Sequence, residues 1–396
     1  MKELLQEAKA IEEEVIANRR YLHENPECGF ELENTCRFVT EKLKEYGYEP
    51  KQICKSGIVA TIGDETKGKT ILLRADMDAL PMTEETDLPF RSKKEAAHTC
   101  GHDTHTAMLL GAAKLLKAHE KELNGCVKLM FQPDEEGTSP DGVSGADRML
   151  EAGVLENPKV DAVFSLHIMS GENKKGTITY RRGTLMSSCD NFVIKIQGKG
   201  AHGSQPHESI SPINIAAHIY FGLQELISRE LPGYEQGTIT AGTFNSGFAP
   251  NIIPDTAEIT GTIRMTDERT RARIKERMTE LCTSTARAYG GSCEVEFMHG
   301  IPSVYNNPEL TEELISYSEE LLGYKCKEEK YVNSGSDDSS VISQNAPTCY
   351  VMLACGDAEE GYIYSHHNPH ILFNEEVFYL GTALYANSAI EWLKNR

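Results

Sequence analysis

The segment HTCGHDTHT, residues 98–106, places three histidines, a cysteine and an aspartate within nine positions. Cys100 and His102 stand two apart, just ahead of a helix expected from residue 104. A thiolate and an imidazole can therefore converge on one cation at a strand-to-helix turn. The same pair would also serve as a cysteine nucleophile with a histidine base, or as a buried cysteine beside helix-start residues. A structural zinc finger needs a second Cys/His pair at finger spacing, and none follows.

Four more segments carry similar residue types. RADMDAL supplies Asp76 and Asp78, which share one face of a strand. They follow the apolar run TILL and so end a buried strand, where α/β sheets bind ligands; ordinary loop acids are the alternative. FQPDEEG crowds Asp134, Glu135 and Glu136 at another strand end. Adjacent carboxylates repel unless a cation or proton neutralises one. Either this turn is solvated, or one Glu binds a metal while its neighbour takes a proton from metal-activated water. His167 in FSLHI ends a third apolar strand, a place for a core histidine or a ligand. SHHNPH adds His366, His367 and His370. Together these put Cys, His and carboxylates at successive strand ends of one sheet. That donor mixture favours zinc, manganese, cobalt or nickel over calcium.

The elements that must position these residues alternate. GIVATIG (57–63), KTILLRADMDAL (69–80), CVKLMFQ (126–132) and VDAVFSLHI (160–168) have strand character, with helices expected over 35–48, 104–123 and 144–155. Near-continuous apolar strands between helices predict a parallel or mixed α/β sheet. Near residue 187 the texture becomes strand, helix, strand, strand, helix, strand, which predicts a small sandwich of one four-stranded sheet and two helices. A 187–298 insertion splitting a larger α/β domain of 1–186 and 299–396 is the economical organisation.

The bulk composition narrows the function classes. With 60 acidic and 40 basic residues the net charge is −20, which opposes nucleic-acid and anionic-membrane partners. No stretch approaches the roughly 18 apolar residues of a membrane span. The N-terminal MKELLQEAKAIEEEVIANRRYLHENPE has an amphipathic helix pattern without a signal-peptide core. Eleven scattered cysteines fit a reduced, cytoplasmic protein with free thiols.

Through LLRADMDALP, HTCGHDTHTAMLLGAAKLL, FQPDEEG, GADRMLEAGVL, SLHI, GKGAHGSQPH, NIIPDTAEITGTIR and HHNPHILFNEE, the chain resembles the amidohydrolase branch of the dinuclear-metal aminoacylase/carboxypeptidase superfamily. Hippurate hydrolases, indole-acetyl-amino acid hydrolases and N-acetyl-diaminopimelate deacetylases belong to that branch. The resemblance implies a zinc-peptidase-like, mixed-sheet catalytic domain (1–186 and 299–396) with an inserted α+β sandwich (187–298) as lid and dimerisation domain. It implies two divalent ions, zinc or manganese, cobalt or nickel, held by Cys100, His102, Glu136, His167 and His367, with Cys100 as the bridge. His367 rather than His366 fits the pattern of His, one residue, Pro. Glu135 would be general base and then acid, and Asp78 would orient the site; Asp76 stands in the same motif. His98, Asp103 and His105 would support the ligands through hydrogen bonds.

In the insertion, His202 resembles a histidine that polarises the scissile carbonyl, in some dimers from the partner subunit. Asn251 and Arg264 resemble residues that hold the substrate's carboxylate or carbonyl, and Arg264 suits a carboxylate through its fork of donors. The implied reaction is hydrolysis of the amide bond of N-acyl or N-aminoacyl amino acids. The alternative is a metallo-carboxypeptidase or dipeptidase acting on short peptides. A homodimer or higher homo-oligomer is expected.

Three departures from the family pattern stand out. Ala201 precedes His202 where glycine is common. The stretch DEEGTSPDGVSGAD is longer than usual, which would reshape the pocket rim. Ser339 in SGSDDSS replaces an aromatic residue.

Overall fold

The computed structural model describes residues 2–139, 141–298 and 300–396. The chain divides into two compact units. One comprises Met1–Leu185, Tyr305–Tyr331 and Asp338–Arg396; the other comprises Met186–Val304 and Val332–Asp337. The second unit thus contains the 187–298 segment, extends six residues beyond it to Val304, and takes a short later piece as well.

In chain order the first unit begins with helices α1 (Lys2–Ala10), α2 (Glu12–Glu24) and α3 (Glu33–Glu45), then strands β1 (Lys51–Ile53), β2 (Gly57–Gly63) and β3 (Lys69–Asp76). Helix α4 (His102–Ala118), β4 (Gly125–Gln132), α5 (Gly145–Glu151), β5 (Ala162–Gly171) and β6 (Ile178–Tyr180) follow. The second unit contributes β7 (Asp190–Gln197), α6 (Pro212–Glu225), β8 (Gly237–Ser246), β9 (Thr256–Met265), α7 (Glu268–Ala288) and β10 (Ser292–Phe297). The chain then supplies α8 (Pro308–Leu322), β11 (Lys327–Glu328), α9 (Ser339–Ser343), β12 (Thr348–Asp357) and α10 (Phe378–Lys394) to the first unit. The N-terminal amphipathic stretch is two helices rather than one. Ile11 leaves helical geometry (φ −102°, ψ 7°) between them, while Leu4, Ala8 and Val15 stay buried on one stripe.

The first unit is built on a mixed sheet of eight strands in the order β1-β2-β4-β3-β5-β12-β6-β11. The central four, β4, β3, β5 and β12, run parallel to one another. They are buried along nearly their whole length, which is why the sequence shows them as unbroken apolar runs. From β3 the chain crosses through α4 to β4 on one side, then through α5 to β5 on the other. That reversal opens a crevice at the carboxyl ends of the parallel strands, the usual ligand position in such sheets. Helix α4 is apolar on nearly every face because the core surrounds it: Met108, Leu109, Leu110, Ala112, Ala113 and Leu116 are all fully buried.

The second unit has a four-stranded antiparallel sheet in the order β8-β9-β7-β10. Period-2 alternation in β7 sends Phe192, Ile194 and Ile196 into a core shared with Ile215 and Ile219 of α6 and Ile274 and Met278 of α7. Each helix starts on a side-chain cap, Ser211 accepting from Asn214 N–H and Asp267 from Thr270 N–H.

Candidate metal centre

The first unit brings seven of the sequence-predicted site residues to the carboxyl ends of its parallel strands. Asp76 ends β3 and Asp78 follows it; Glu135 and Glu136 lie beyond β4; His167 lies in β5. Cys100 and His102 flank Gly101, which caps α4 in the left-handed region at φ 89°. A β-carbon at residue 101 would sit 2.5 Å from Ile168 Cγ2 and 3.1 Å from the Phe373 ring. Only glycine lets the chain turn there, and the turn aims both flanking side chains into the crevice. His367 also occupies the left-handed region, at φ 64°, as does Asp134, at φ 46°. Such conformations persist where the surrounding structure holds them, and they cluster at functional sites.

Donor atoms converge in two triads that share one member. Cys100, His102 and His167 place their ligand atoms within 4.8 Å of one another, and so do Cys100, Glu136 and His367. The Cys100 sulfur lies 3.5 Å from His167 Nε2, and His367 Nε2 lies 3.2 Å from Glu136 Oε1. Glu135 joins His102 and Glu136 in a further group, its Oε2 3.7 Å from His102 Nε2. Asp76, His102 and His105 also cluster, but both ring nitrogens of His105 are already engaged.

The hydrogen bonds set the histidine tautomers. His102 Nδ1 donates to the Asp78 carbonyl at 2.9 Å and faces Asp78 Oδ1 at 3.2 Å, which leaves Nε2 as the atom that would give up its proton to a cation. That Nε2 is buried and has no hydrogen-bond partner. His167 Nδ1 donates to the Ile168 carbonyl at 2.6 Å, again turning Nε2 toward Cys100. His105 accepts from Ile168 N–H at Nε2 (2.8 Å), so its Nδ1 carries the proton donated to Asp76 at 2.6 Å. His366 gives its Nε2 to the Ile168 carbonyl at 2.9 Å, and burial drives its pKa down to about 4. An unpartnered, buried imidazole nitrogen amid a thiol and carboxylates is a poor arrangement for the protein alone and a good one for a borderline cation. The donor set therefore fits divalent metal.

The electrostatics fit as well. Burial raises the Cys100 thiol well above its ordinary value, and Glu136 beside it adds to the rise. Burial opposes charge on His102, yet Asp76 and Cys100 outweigh it and hold its pKa well above the usual imidazole range. Burial, then His105 and His366, hold His167 well below that range. The Glu136 carboxylate raises His367. A bound cation would displace the protons that Cys100 and His102 retain, so its binding releases protons.

Several supporting residues escaped sequence reasoning. Arg74, 1% exposed, bonds Gln132 Oε1 at 3.0 Å and Asp338 Oδ1 at 3.1 Å, and pairs with Asp76 at 2.9 Å. Asp338 also accepts from Gln132 at 2.6 Å and from Ala146 N–H at 2.8 Å, and its own N–H reaches Glu135 Oε1 at 3.4 Å. A lone arginine inside the apolar strand TILLRAD was the available signal, because a buried charge requires partners. Asp103, expected to hydrogen-bond the ligands, instead joins a second buried cluster at the start of α4 with Arg19, His23 and Glu84, which the sequence did not single out: its Oδ2 accepts from Arg19 Nε and faces His23 Nδ1, both at 2.8 Å, while His23 Nε2 lies 3.1 Å from Glu84.

The sequence profile of peptidase family M20/M25/M40 matches residues 72–391. The chain belongs to that family. It is 39% identical over 396 residues to a thermostable carboxypeptidase of Saccharolobus solfataricus, covering 99% of this chain and 98% of the relative. It is 36% identical over 380 residues to the hippurate hydrolase of Campylobacter jejuni, covering 95% and 96%. A Bacillus subtilis crystal structure described as a dinuclear metal binding peptidase from the M20 family superposes with a TM-score of 0.84 at 32% identity, covering 98% of this chain and 99% of that one. The mixed α/β fold is thus that of M20 peptidases.

The other three predicted residues lie in the second unit. His202 pairs with Ile252 in a two-residue ribbon, and Gly203 N–H donates to the Asn251 carbonyl at 2.8 Å, so His202 and Asn251 are neighbours. Ser204 N–H donates to His202 Nδ1 at 3.1 Å, which puts the ring proton on the exposed Nε2. Arg264 lies in β9, with one guanidinium nitrogen 2.7 Å from Ser336 Oγ.

Proposed function

We propose that this M20-family chain is a metal-dependent amidohydrolase that cleaves the amide bond of N-acyl or N-aminoacyl amino acids. The observation that carries this is the Glu135–Glu136 pair beside Cys100, the one residue common to both donor triads. Cys100, His102, His167, Glu136 and His367 would hold two cations, with Cys100, common to both triads, as the shared ligand, and among these donors His102 Nε2 and Glu136 Oε1 are buried without a hydrogen-bond partner. When bound, such ions lower the pKa of a water and polarise a carbonyl. Zinc is the first candidate, with manganese, cobalt or nickel also compatible with the donors.

The chain's own residues carry the proton movements. Glu135, positioned by Asp338 N–H and close to His102, takes the proton of the attacking water and delivers it to the leaving nitrogen. Glu136 and the three histidines stay in place as ligands. Asp78 holds His102 and, through Oδ2, the Glu136 N–H at 3.1 Å. Asp76 fixes His105, which in turn fixes the β5 backbone beside His167. In the second unit, the Nε2–H of His202 is a donor suited to a developing oxyanion. Asn251 and Arg264 would hold the substrate's carboxylate.

The second unit would act as lid and dimerisation domain. Strand β8 is a sheet edge with largely exposed residues, and Phe221, Phe244 and Phe248 are 69%, 42% and 86% exposed. Edges and apolar patches of this kind favour pairing with a second copy. All eleven cysteines are free thiols, in keeping with a cytoplasmic setting, and no described helix is long and apolar enough to cross a membrane.

The carboxypeptidase relative favours one second reading, hydrolysis of short peptides. A metal-loaded panel of N-acetyl, N-benzoyl, N-indoleacetyl and dipeptide substrates tests both. Faster dipeptide turnover would select the peptidase; no metal-dependent turnover would refute both.

A further inference from the structure

We propose that His23 is a positioning residue of the metal centre: a buried imidazolium that clasps the start of α4 to the chain at Glu84, and thereby holds His367 in register with Cys100. The inference rests on the two-cation reading above and adds a residue outside the donor set.

The charge on His23 follows from its partners. The side chain, on α2, is 4% exposed and has a carboxylate at each ring nitrogen. Nδ1 lies 2.8 Å from Asp103 Oδ2, and Nε2 lies 3.1 Å from Glu84 Oε1. An ionised carboxylate only accepts, and a neutral imidazole has one N–H. Both contacts are hydrogen bonds only if both nitrogens carry protons. Arg19 also approaches Nδ1, at 3.2 Å, but the Asp103 oxygen is nearer, and Arg19 Nε donates to that same oxygen at 2.8 Å. Glu84 keeps its own charge, since its Oε2 accepts from Ser92 N–H at 2.7 Å. Arg19 and His23 thus balance Asp103 and Glu84, and a buried set of charges survives only when paired in this way. Burial and then Arg19 oppose charge on His23, yet Asp103 and Glu84 outweigh them and hold its pKa above the usual imidazole value.

Both ends of this clasp lead to the donors. Asp103 follows His102 in the first turn of α4. Glu84 precedes Glu85, which grips the chain around His367: Glu85 N–H donates to the Pro369 carbonyl at 2.9 Å, and His370 Nδ1 lies 3.0 Å from the Glu85 carbonyl. From the other side, His367 N–H donates at 3.1 Å to the carbonyl of Thr99, the residue before Cys100. His367 depends on such fastening. It is the exposed member of the five proposed ligands, in chain that is neither helix nor strand, and it holds a left-handed backbone at φ 64°.

The clasp therefore bears on one ion more than on the other. Cys100 and His102 flank Gly101 on a single turn, and His167 is fixed in β5, so the triad of Cys100, His102 and His167 is set by that turn and the sheet. The triad of Cys100, Glu136 and His367 spans the α4 turn and the chain around His367, the two parts that His23 ties together. Opening the clasp should loosen the second triad and spare the first.

The test measures zinc affinity by chelator competition on the full chain, in two backgrounds that each keep one triad. His167→Ala keeps Cys100, Glu136 and His367; His367→Ala keeps Cys100, His102 and His167. The single amide nitrogen of His23→Gln cannot meet both carboxylates. That substitution should weaken zinc on the order of 10-fold in the first background and leave it within about twofold in the second. In the otherwise wild-type chain it should move one of the two zinc-binding steps and not the other. If His23→Gln does not fold, Glu84→Gln opens the far end of the clasp and reads the same difference. Equal losses in both backgrounds, or none, in folded variants overturn the clasp. So does a nitrogen-15 spectrum of the wild type in which His23 has one protonated ring nitrogen at neutral pH. The expected difference in zinc affinity without turnover of any N-acyl amino acid refutes the hydrolase reading and leaves the clasp standing. A wild type that binds no zinc, manganese, cobalt or nickel refutes both.

Discussion

Replacing Asp78 by asparagine separates a carboxylate's geometry from its size. Asp78 is 1% exposed, and each of its oxygens faces a donor: Oδ1 the His102 Nδ1–H at 3.2 Å, Oδ2 the Glu136 N–H at 3.1 Å. Asparagine offers one acceptor and one NH2 group. Whichever way it is turned, one of the two neighbours meets a donor instead of an acceptor. A buried donor left without an acceptor costs about 1–3 kcal/mol. His102 retains its bond to the Asp78 carbonyl at 2.9 Å, so the tautomer survives and the loss falls on the orientation of His102 and Glu136. Both are proposed ligands, so metal affinity should drop by about 10–100-fold. Chelator competition on the apo protein, with thermal unfolding as a folding control, measures it. An affinity within twofold of wild type, in a folded variant, would refute the role assigned to Asp78.

Other perturbations act on equally specific contacts. Gly101→Ala adds a β-carbon 2.5 Å from Ile168 Cγ2 at a left-handed position, so metal content should fall with both flanking ligands displaced; a fully metallated variant would contradict this. Cys100→Ser should weaken both ions, whereas His167→Ala should weaken one, and metal per chain by elemental analysis distinguishes them. Asp190 is fully buried and bonds Arg271 at 2.6 Å and Lys275 at 2.9 Å, and these cations overcome burial to hold its pKa below the ordinary carboxylate value. Asp190→Asn should therefore destabilise the second unit by about 3 kcal/mol at neutral pH. Because the folded pKa is the lower one, that stability is present above about pH 4 and is lost as the pH falls further. Denaturation curves should thus converge for wild type and variant in acid, and a gap that widens in acid would refute the pairing.

Much of the site was legible because its signals are local. Strands β3, β4 and β5 appear as apolar runs, and chemically active residues at their carboxyl ends must converge once the strands lie parallel. Tautomers were not legible, since they depend on carbonyls such as those of Asp78 and Ile168, which no side-chain pattern displays. Nor was the Arg74–Gln132–Asp338 network, whose members come from β3, β4 and a segment more than 200 residues later. His105 was expected to support ligands, but its bond to Asp76 across 29 residues is a tertiary fact. The break at Ile11 is invisible to periodicity because the buried stripe continues across it. The return of the chain to the first unit at Tyr305, and the loan of Val332–Asp337 to the second, follow from packing rather than composition.

The most direct test of Glu135 as the proton carrier beside a metal centre is Glu135→Gln, measured for both metal content and turnover. The predicted result is a folded protein that keeps wild-type divalent metal while N-acyl amino acid hydrolysis falls by about 10²–10⁴-fold. Wild-type turnover, or loss of the metal together with activity, would contradict that role.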